Sequence, residues 1–497
     1  MPYDYIVVGG GTAGCVVAAR LAQNNRRRVL LVEAGPTDEA NPKILTLSRW
    51  QELLETELDY DYRIEPQPRG NDHIRHSRGK MLGGCSSHNS AIAFIPPDID
   101  FDRWADEGAR GWSAKEVSRF YDRVQTRVNL EKSASQNECV EAFLESCAAA
   151  GYGRTDFARP FEVGADWFRL NKAGSRRASS SVAYLHPTQQ LGDNLEILTD
   201  TRVARLVFDG ARAVAIETSA GRFEASESIV LCAGAFDTPK LLMRSGVGPA
   251  DHLRSVGVEV LHDRPGVGAN LLDHPEGVMI WGASRPVPER TAQRYEAGLF
   301  VCVDDDAPWP DLMFHFGTEA FDMQTKRAGY ATSDNAFSLT PNVTRARSAG
   351  TVRLRDAGVE TPPRIDFAYF TDPYDERIMT AAAEIARDVV NHRPLADWVD
   401  RELAPGTAMT DRAALSEYLR KTANTVYHPA GTCRMGQDDS CVVDPTLAVT
   451  GLDGLRIADA SVFPSHVSVN PCLTVMMVGE RCADFLIFSE TNRGPRT

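Results

Sequence analysis

The first thirty-three residues leave few folds open. Tyr5 to Val8 is a short apolar run ending in glycines, Thr12 to Gln23 is an Ala-rich amphipathic stretch, and Val29 to Val32 is a second apolar run closed by Glu33. Strand, turn, helix and strand in that order make a βαβ unit with its two strands parallel. The turn reads Gly9-x-Gly11-x-x-Gly14. Glycines there let the chain turn tightly and let its backbone approach a pyrophosphate at the helix N-terminus. Glu33, nineteen residues past Gly14, stands where a carboxylate accepts hydrogen bonds from a ribose hydroxyl. The unit predicts a bound dinucleotide. It does not separate FAD from NAD, but no second GxGxxG unit is evident for a nicotinamide cofactor.

A chain of 497 residues is too long for one ordinary core and predicts two domains. A net charge of −14 speaks against a nucleic-acid partner and gives a cationic substrate a mildly favourable field. No apolar run approaches the ~20 residues needed to cross a bilayer, so no membrane association is expected. MPYDYIVVGGG lacks a basic segment followed by a cleavable apolar stretch. The ten cysteines fall without CxxC pairs, as small buried hydrophobes do in a reducing compartment. No metal site is expected, and the expected location is cytoplasmic.

Further along, helical spacing surrounds Trp50, Leu53 and Leu54, and Arg69 to Ser90 is rich in Gly, Ser and basic residues, as an extended cofactor-binding loop would be. Ser113 with Glu116 three residues later predicts a capping box opening a helix to Val128. Glu131 to Arg177 is polar and carries no readable pattern. Leu195 to Phe223, with turns at Asp209-Gly210 and Ala220-Gly221, predicts a small antiparallel sheet. Ser228 to Cys232 is a buried strand, strand-like segments return from Glu276 to Phe370, and Asp375 to Asn391 and Thr410 to Lys421 are helices. Leu473 to Val478 should open a last helix.

Residues 79–94 read GKMLGGCSSHNSAIAF, a Gly-rich turn around a lone imidazole, His88, well downstream of the dinucleotide fingerprint. That combination points to a flavin rather than NAD, tethered covalently through a histidine ring nitrogen. With VLCAGAFDTPKLLMRSGVGP at 230–249, HPAGTCRMG at 428–436 and NPCLTVMMVGERCAD at 470–484, the chain resembles the glucose–methanol–choline (GMC) oxidoreductases over essentially its whole length. SSHNS, DHPEG and VNP look most like the choline oxidase branch of that family. The resemblance implies a Rossmann-like α/β FAD-binding domain interleaved with a smaller α+β substrate-binding domain. The FAD domain would comprise 1–155, 195–275 and 411–497. The substrate domain would comprise 276–410, to which 156–194 could also belong.

The chemistry sets the demand on the site. An alcohol gives up hydride readily only as its hydroxyl proton leaves, so a base and a polarising partner must lie within hydrogen-bond reach. By resemblance His428 is the base or alkoxide stabiliser, Asn470 its partner, and His315 a second imidazole lining the pocket. Gly84, Asn89 and Asp459 join Gly9, Gly11, Gly14, Glu33 and His88 around FAD. A quaternary ammonium has no N–H donors and is read by charge and aromatic faces alone. Glu276 matches the position facing such a cation, with Trp50, Tyr427 and Tyr295 as the cage, although Trp is usual where Tyr295 stands. Ser90 and Val426 match small residues near the flavin that leave room for oxygen.

The resemblance thus implies FAD-dependent oxidation of a primary alcohol with oxygen as acceptor, yielding hydrogen peroxide. Choline or a related quaternary-ammonium alcohol is the expected substrate, and the family tie implies a homodimer. The alternatives are oxidation of neutral furan, aromatic or pyridine-type alcohols, and a lyase on the same fold.

Overall fold

The apolar runs near the N-terminus become adjacent parallel strands because each is too uniformly hydrophobic to face water on either side. In the computed structural model, which describes residues 2–23, 26–158, 163–187 and 191–491, Tyr3–Val8 pairs in parallel with Val29–Val32. On its other side Tyr3–Val8 pairs in parallel with Gly221–Leu231, which in turn takes Leu455–Ile457. Leu195–Leu198 is the outer parallel strand beside Val29–Val32. It does not belong to the antiparallel set expected for 195–223. Only Val203–Asp209, Arg212–Thr218 and the start of Gly221–Leu231 form that hairpin pair, on the opposite edge of the same sheet.

The connecting helix Gly14–Ala22 was expected to be amphipathic, but all of it except Arg20 is buried. The reason is the last helix, Cys472–Thr491, which packs over its outer side. Arg20, half hidden there, pairs with Glu480 and with Asp484 at 3.1 Å. Helix Ala114–Arg127 starts at the expected capping box, with Ser113 N–H donating to Glu116 at 3.0 Å, and buries Val117, Phe120, Tyr121 and Val124.

The second layer is antiparallel throughout, in the order Val399–Ala404, Met279–Ala283, Ala336–Val343, Leu312–Gly317, Tyr295–Val301 and Gly164–Trp167. Short strands Pro275–Glu276 and Asn424–Thr425 attach to it, with Glu276 opposite both Asn342 and Asn424. Helix Pro373–Asn391 covers this sheet. The segment that carried no pattern contains helix Glu138–Ala149, capped by Asn137, and the strands Arg169–Ala173 and Arg176–Arg177. These pair locally with each other, and Arg169–Ala173 also with Leu130–Lys132, whereas Gly164–Trp167 pairs with the distant Tyr295–Val301. Residues 159–162 and 188–190, inside the 156–194 segment, lie outside the described residues. Among the described residues no helix is long and apolar enough to cross a membrane.

Candidate active site

The dinucleotide turn is built by contacts too close for side chains. A Cβ on Gly14 would lie 1.9 Å from the Gly9 carbonyl oxygen, so Gly14 serves the tightness of the turn and does not line the cavity above it. Gly84, at φ +50°, brings the 79–94 loop down onto the same turn, and a Cβ there would meet Gly11 Cα at 2.7 Å. Glu33 is buried and accepts from the Gly10 and Gly35 amides, both at 2.8 Å. Burial pushes its pKa up to about 7, against those amides.

Every other candidate lines one continuous cavity running from this turn to the second sheet. Gly9, Gly11, Glu33, Gly84, His88, Asn89 and Asp459 lie in one part of its wall. Asp459 accepts from Gly234 N at 2.8 Å and Thr238 Oγ1 at 2.6 Å, which ties the start of helix Gly234–Arg244 to the C-terminal segment. Asn89 Oδ1 accepts from Arg177 Nη1 at 2.8 Å. His88 is buried, and its Nε2 has no hydrogen-bond partner among the described residues, with Asp59 Oδ2 the nearest acid at 3.9 Å. Burial lowers its pKa to about 4, so the ring is neutral. A buried, neutral imidazole with an unpartnered ring nitrogen, in the wall of the cavity above the dinucleotide turn, is what a flavin link requires, and the residues present fit FAD.

Glu276, His315, Trp50, Tyr295, Tyr427, His428, Asn470, Ser90 and Val426 also line this cavity. Glu276 is 4% exposed, and burial pushes its pKa up to about 8, against the lowering effect of the Thr340 hydroxyl. His315 Nδ1 lies 3.9 Å from Glu276 Oε1, and burial lowers this histidine to about 4. The Trp50 and Tyr295 ring centroids are 6.4 Å apart at 59°. Tyr427 has φ +64°, a strained conformation for a bulky residue. It is held there by its N–H donating to Thr425 Oγ1 at 2.7 Å and by Arg78 donating to its carbonyl at 2.6 Å.

The sequence reading missed the residues that set up His428. His274 Nδ1 and His428 Nδ1 are 3.1 Å apart, and His274 Nε2 is 3.0 Å from the Val467 carbonyl. A carbonyl only accepts, so His274 carries its proton on Nε2 and its Nδ1 must accept from His428. His428 is thereby left with a lone pair on Nε2. Burial and the neighbouring His466, His315 and Arg78 hold its pKa well below the ordinary histidine value. Asp273 Oδ1 accepts from the His428 N–H at 2.9 Å and is itself anchored by Thr425 and Tyr369. Asp273 and His274 stand in the DHPEG segment, so the signal lay two residues before Glu276.

A neutral imidazole, a buried carboxyl and a dinucleotide cradle share this cavity. Residues 3–276 and 346–479 match the N- and C-terminal patterns of the GMC oxidoreductases. The chain belongs to the GMC oxidoreductase family. It is 47% identical to choline oxidase of Arthrobacter globiformis, over 97% of this chain and 94% of that one. It is 32% identical to human mitochondrial choline dehydrogenase, over 97% of this chain and 89% of that one. Pyridoxine 4-oxidase from Mesorbium loti superimposes with a TM-score of 0.90 at 30% identity, over 99% of this chain and 100% of that one. This member of the family is an FAD-dependent oxidoreductase.

Proposed function

We propose that the protein oxidises choline, or a closely related quaternary-ammonium alcohol, with oxygen as the final acceptor, releasing hydrogen peroxide. The observation that carries the reading is the buried Glu276 carboxyl among Trp50, Tyr295 and Tyr427, in the cavity that holds His428. Similarity to choline oxidase over nearly the full length supports it. FAD, proposed to be covalently linked at His88 Nε2, supplies the hydride acceptor. His428 Nε2 takes the hydroxyl proton, and Asn470 steadies the developing alkoxide. Glu276 pairs with the ammonium group, and the three aromatic rings present their faces to its methyl groups. The proposed cofactor portion is 1–155, 195–275 and 411–497. The parallel sheet, built from Tyr3–Val8, Val29–Val32, Leu195–Leu198, Gly221–Leu231 and Leu455–Ile457, supports all three parts, whereas Asn424–Thr425 pairs into the second sheet with 276–410. Ten free cysteines support a reducing, cytoplasmic setting.

A second reading has its own support. With no cation present the Glu276 carboxyl titrates at about 8 and is mostly neutral at pH 7, which suits a neutral alcohol. Peroxide production across a panel of alcohols separates the two. Turnover of choline well above that of neutral alcohols is expected, and a preference for aromatic or pyridine-type alcohols overturns the choline assignment.

A further inference from the structure

His466 lies beneath the proposed base and is held in a way that a neutral ring cannot satisfy. It is 5% exposed. Its Nε2 is 2.6 Å from the His428 carbonyl oxygen and its Nδ1 is 2.8 Å from the Val467 carbonyl oxygen. Carbonyl oxygens only accept, and a neutral imidazole has one N–H. One of the two contacts would then face lone pair against lone pair within hydrogen-bond distance. An imidazolium donates to both.

The peptide it grips is that of His428. Asp273 holds the His428 N–H and His466 holds the His428 carbonyl, so a carboxylate and a ring clamp the two sides of one residue. The His274 ring lies against His466, centroids 3.9 Å apart, and reaches His428 through its Nδ1. We propose that His466 is a positioning residue carrying a buried imidazolium, which clamps the His428 main chain and keeps the His428 ring neutral and ready to accept a proton.

The surrounding charges are consistent with this. Asp273 faces His466 from the segment before Pro275–Glu276, and Asp100 from helix Asp98–Asp106. Arg345 pairs with Asp100 at 3.2 Å, and Arg103 donates to the His466 carbonyl. Burial pulls the His466 pKa below the ordinary value, while both carbonyls and both carboxylates push the other way. The facing carbonyls decide, because a repulsive contact at this distance is immediate whereas the burial cost is offset by Asp273 and Asp100. At His428, where His315 and Arg78 also act, a positive His466 opposes protonation.

The inference rests on His428 being the base, and its first test does not. Holoenzyme labelled with ¹⁵N-histidine is observed at about pH 8.5, two units above an ordinary histidine. One doubly protonated ring is expected, and it should vanish in His466→Gln. Its absence from the unmutated protein overturns the charge. The same variant keeps an N–H donor for the His428 carbonyl but loses the charge, whereas a purely structural role would leave the pH profile where it was. The acid limb of flavin reduction, read in anaerobic stopped flow, should move up by about one to two pH units. That is the size expected from a unit charge with ring centroids 6.5 Å apart in an effective dielectric of about 20. An unmoved limb overturns the coupling. If His428 is not the base, His428→Ala reduces flavin at the unmutated rate while the imidazolium signal persists, so the two failures are told apart.

Discussion

His274 determines which nitrogen of His428 carries the ring proton. The two Nδ1 atoms are 3.1 Å apart, and the Val467 carbonyl on the far side of His274 fixes the proton order along the chain. The tautomer of His428, the proposed base, is therefore set by a backbone oxygen three residues before Asn470, the other proposed catalytic group.

His428→Ala should lose ~10²–10⁴-fold in the rate of flavin reduction, the usual size of a general-base contribution, with FAD retained. Asn470→Ala should cost less, since it removes one neutral hydrogen bond. His274→Phe leaves the base in place but frees its tautomer, so the loss should be intermediate. Anaerobic stopped flow with choline measures all three, and a His428→Ala rate near that of the unmutated enzyme would rule out the base.

The unpartnered Nε2 of His88 predicts flavin that survives acid precipitation on the protein. The pellet should be yellow and carry the added mass of FAD. His88→Ala should bind FAD without the link and turn over more slowly. Flavin found wholly in the supernatant of the unmutated protein removes the covalent link and leaves the fold untouched.

Gly84→Ala tests the cradle. The left-handed conformation costs a non-glycine residue ~1–2 kcal/mol, and the added carbon would press on Gly11 Cα at 2.7 Å. The dinucleotide turn must move to make room, so the purified variant should hold much less FAD, read as the ratio of flavin to protein absorbance. FAD content equal to the unmutated protein would show that the loop can retreat instead.

The parts of this molecule visible in the sequence are those whose cause is local. Gly9, Gly14 and Glu33 could be read because turn geometry and strand burial act within a few dozen residues. Leu195–Leu198 was misplaced because only tertiary pairing with Val29–Val32 distinguishes it from the hairpin that follows. Residues 131–177 were opaque because Gly164–Trp167 finds its partner in Tyr295–Val301, more than a hundred residues away. The site repeats the pattern. Its wall residues sit in recognisable segments, but the relay through His274 and the grip of His466 depend on loops meeting across the two layers. The positive φ that turns Tyr427 into the cavity has no sequence signature either.

The ammonium cage gives the most exposed prediction, because its carboxyl should report the substrate's charge through pH. Burial raises the Glu276 pKa from an ordinary carboxyl value to about 8, so the ligand-free group is protonated below that pH. Choline binding requires the charged form, and below about pH 8 each binding event must release a proton. The Michaelis constant for choline should therefore fall as pH rises and level off above about 8. That for 3,3-dimethylbutanol, the same shape without charge, should show no such fall. Removing one partner of a buried charge pair costs ~3–5 kcal/mol, roughly a hundred- to several-thousand-fold in affinity. Glu276→Gln should raise the choline constant by that order, abolish its pH dependence and barely change the neutral alcohol's. Tyr295→Trp should tighten choline modestly, since indole is the better cation–π face. Equal efficiency on both alcohols in the unmutated enzyme, at every pH, would mean that Glu276 does not read charge, and the neutral-alcohol reading would stand in its place.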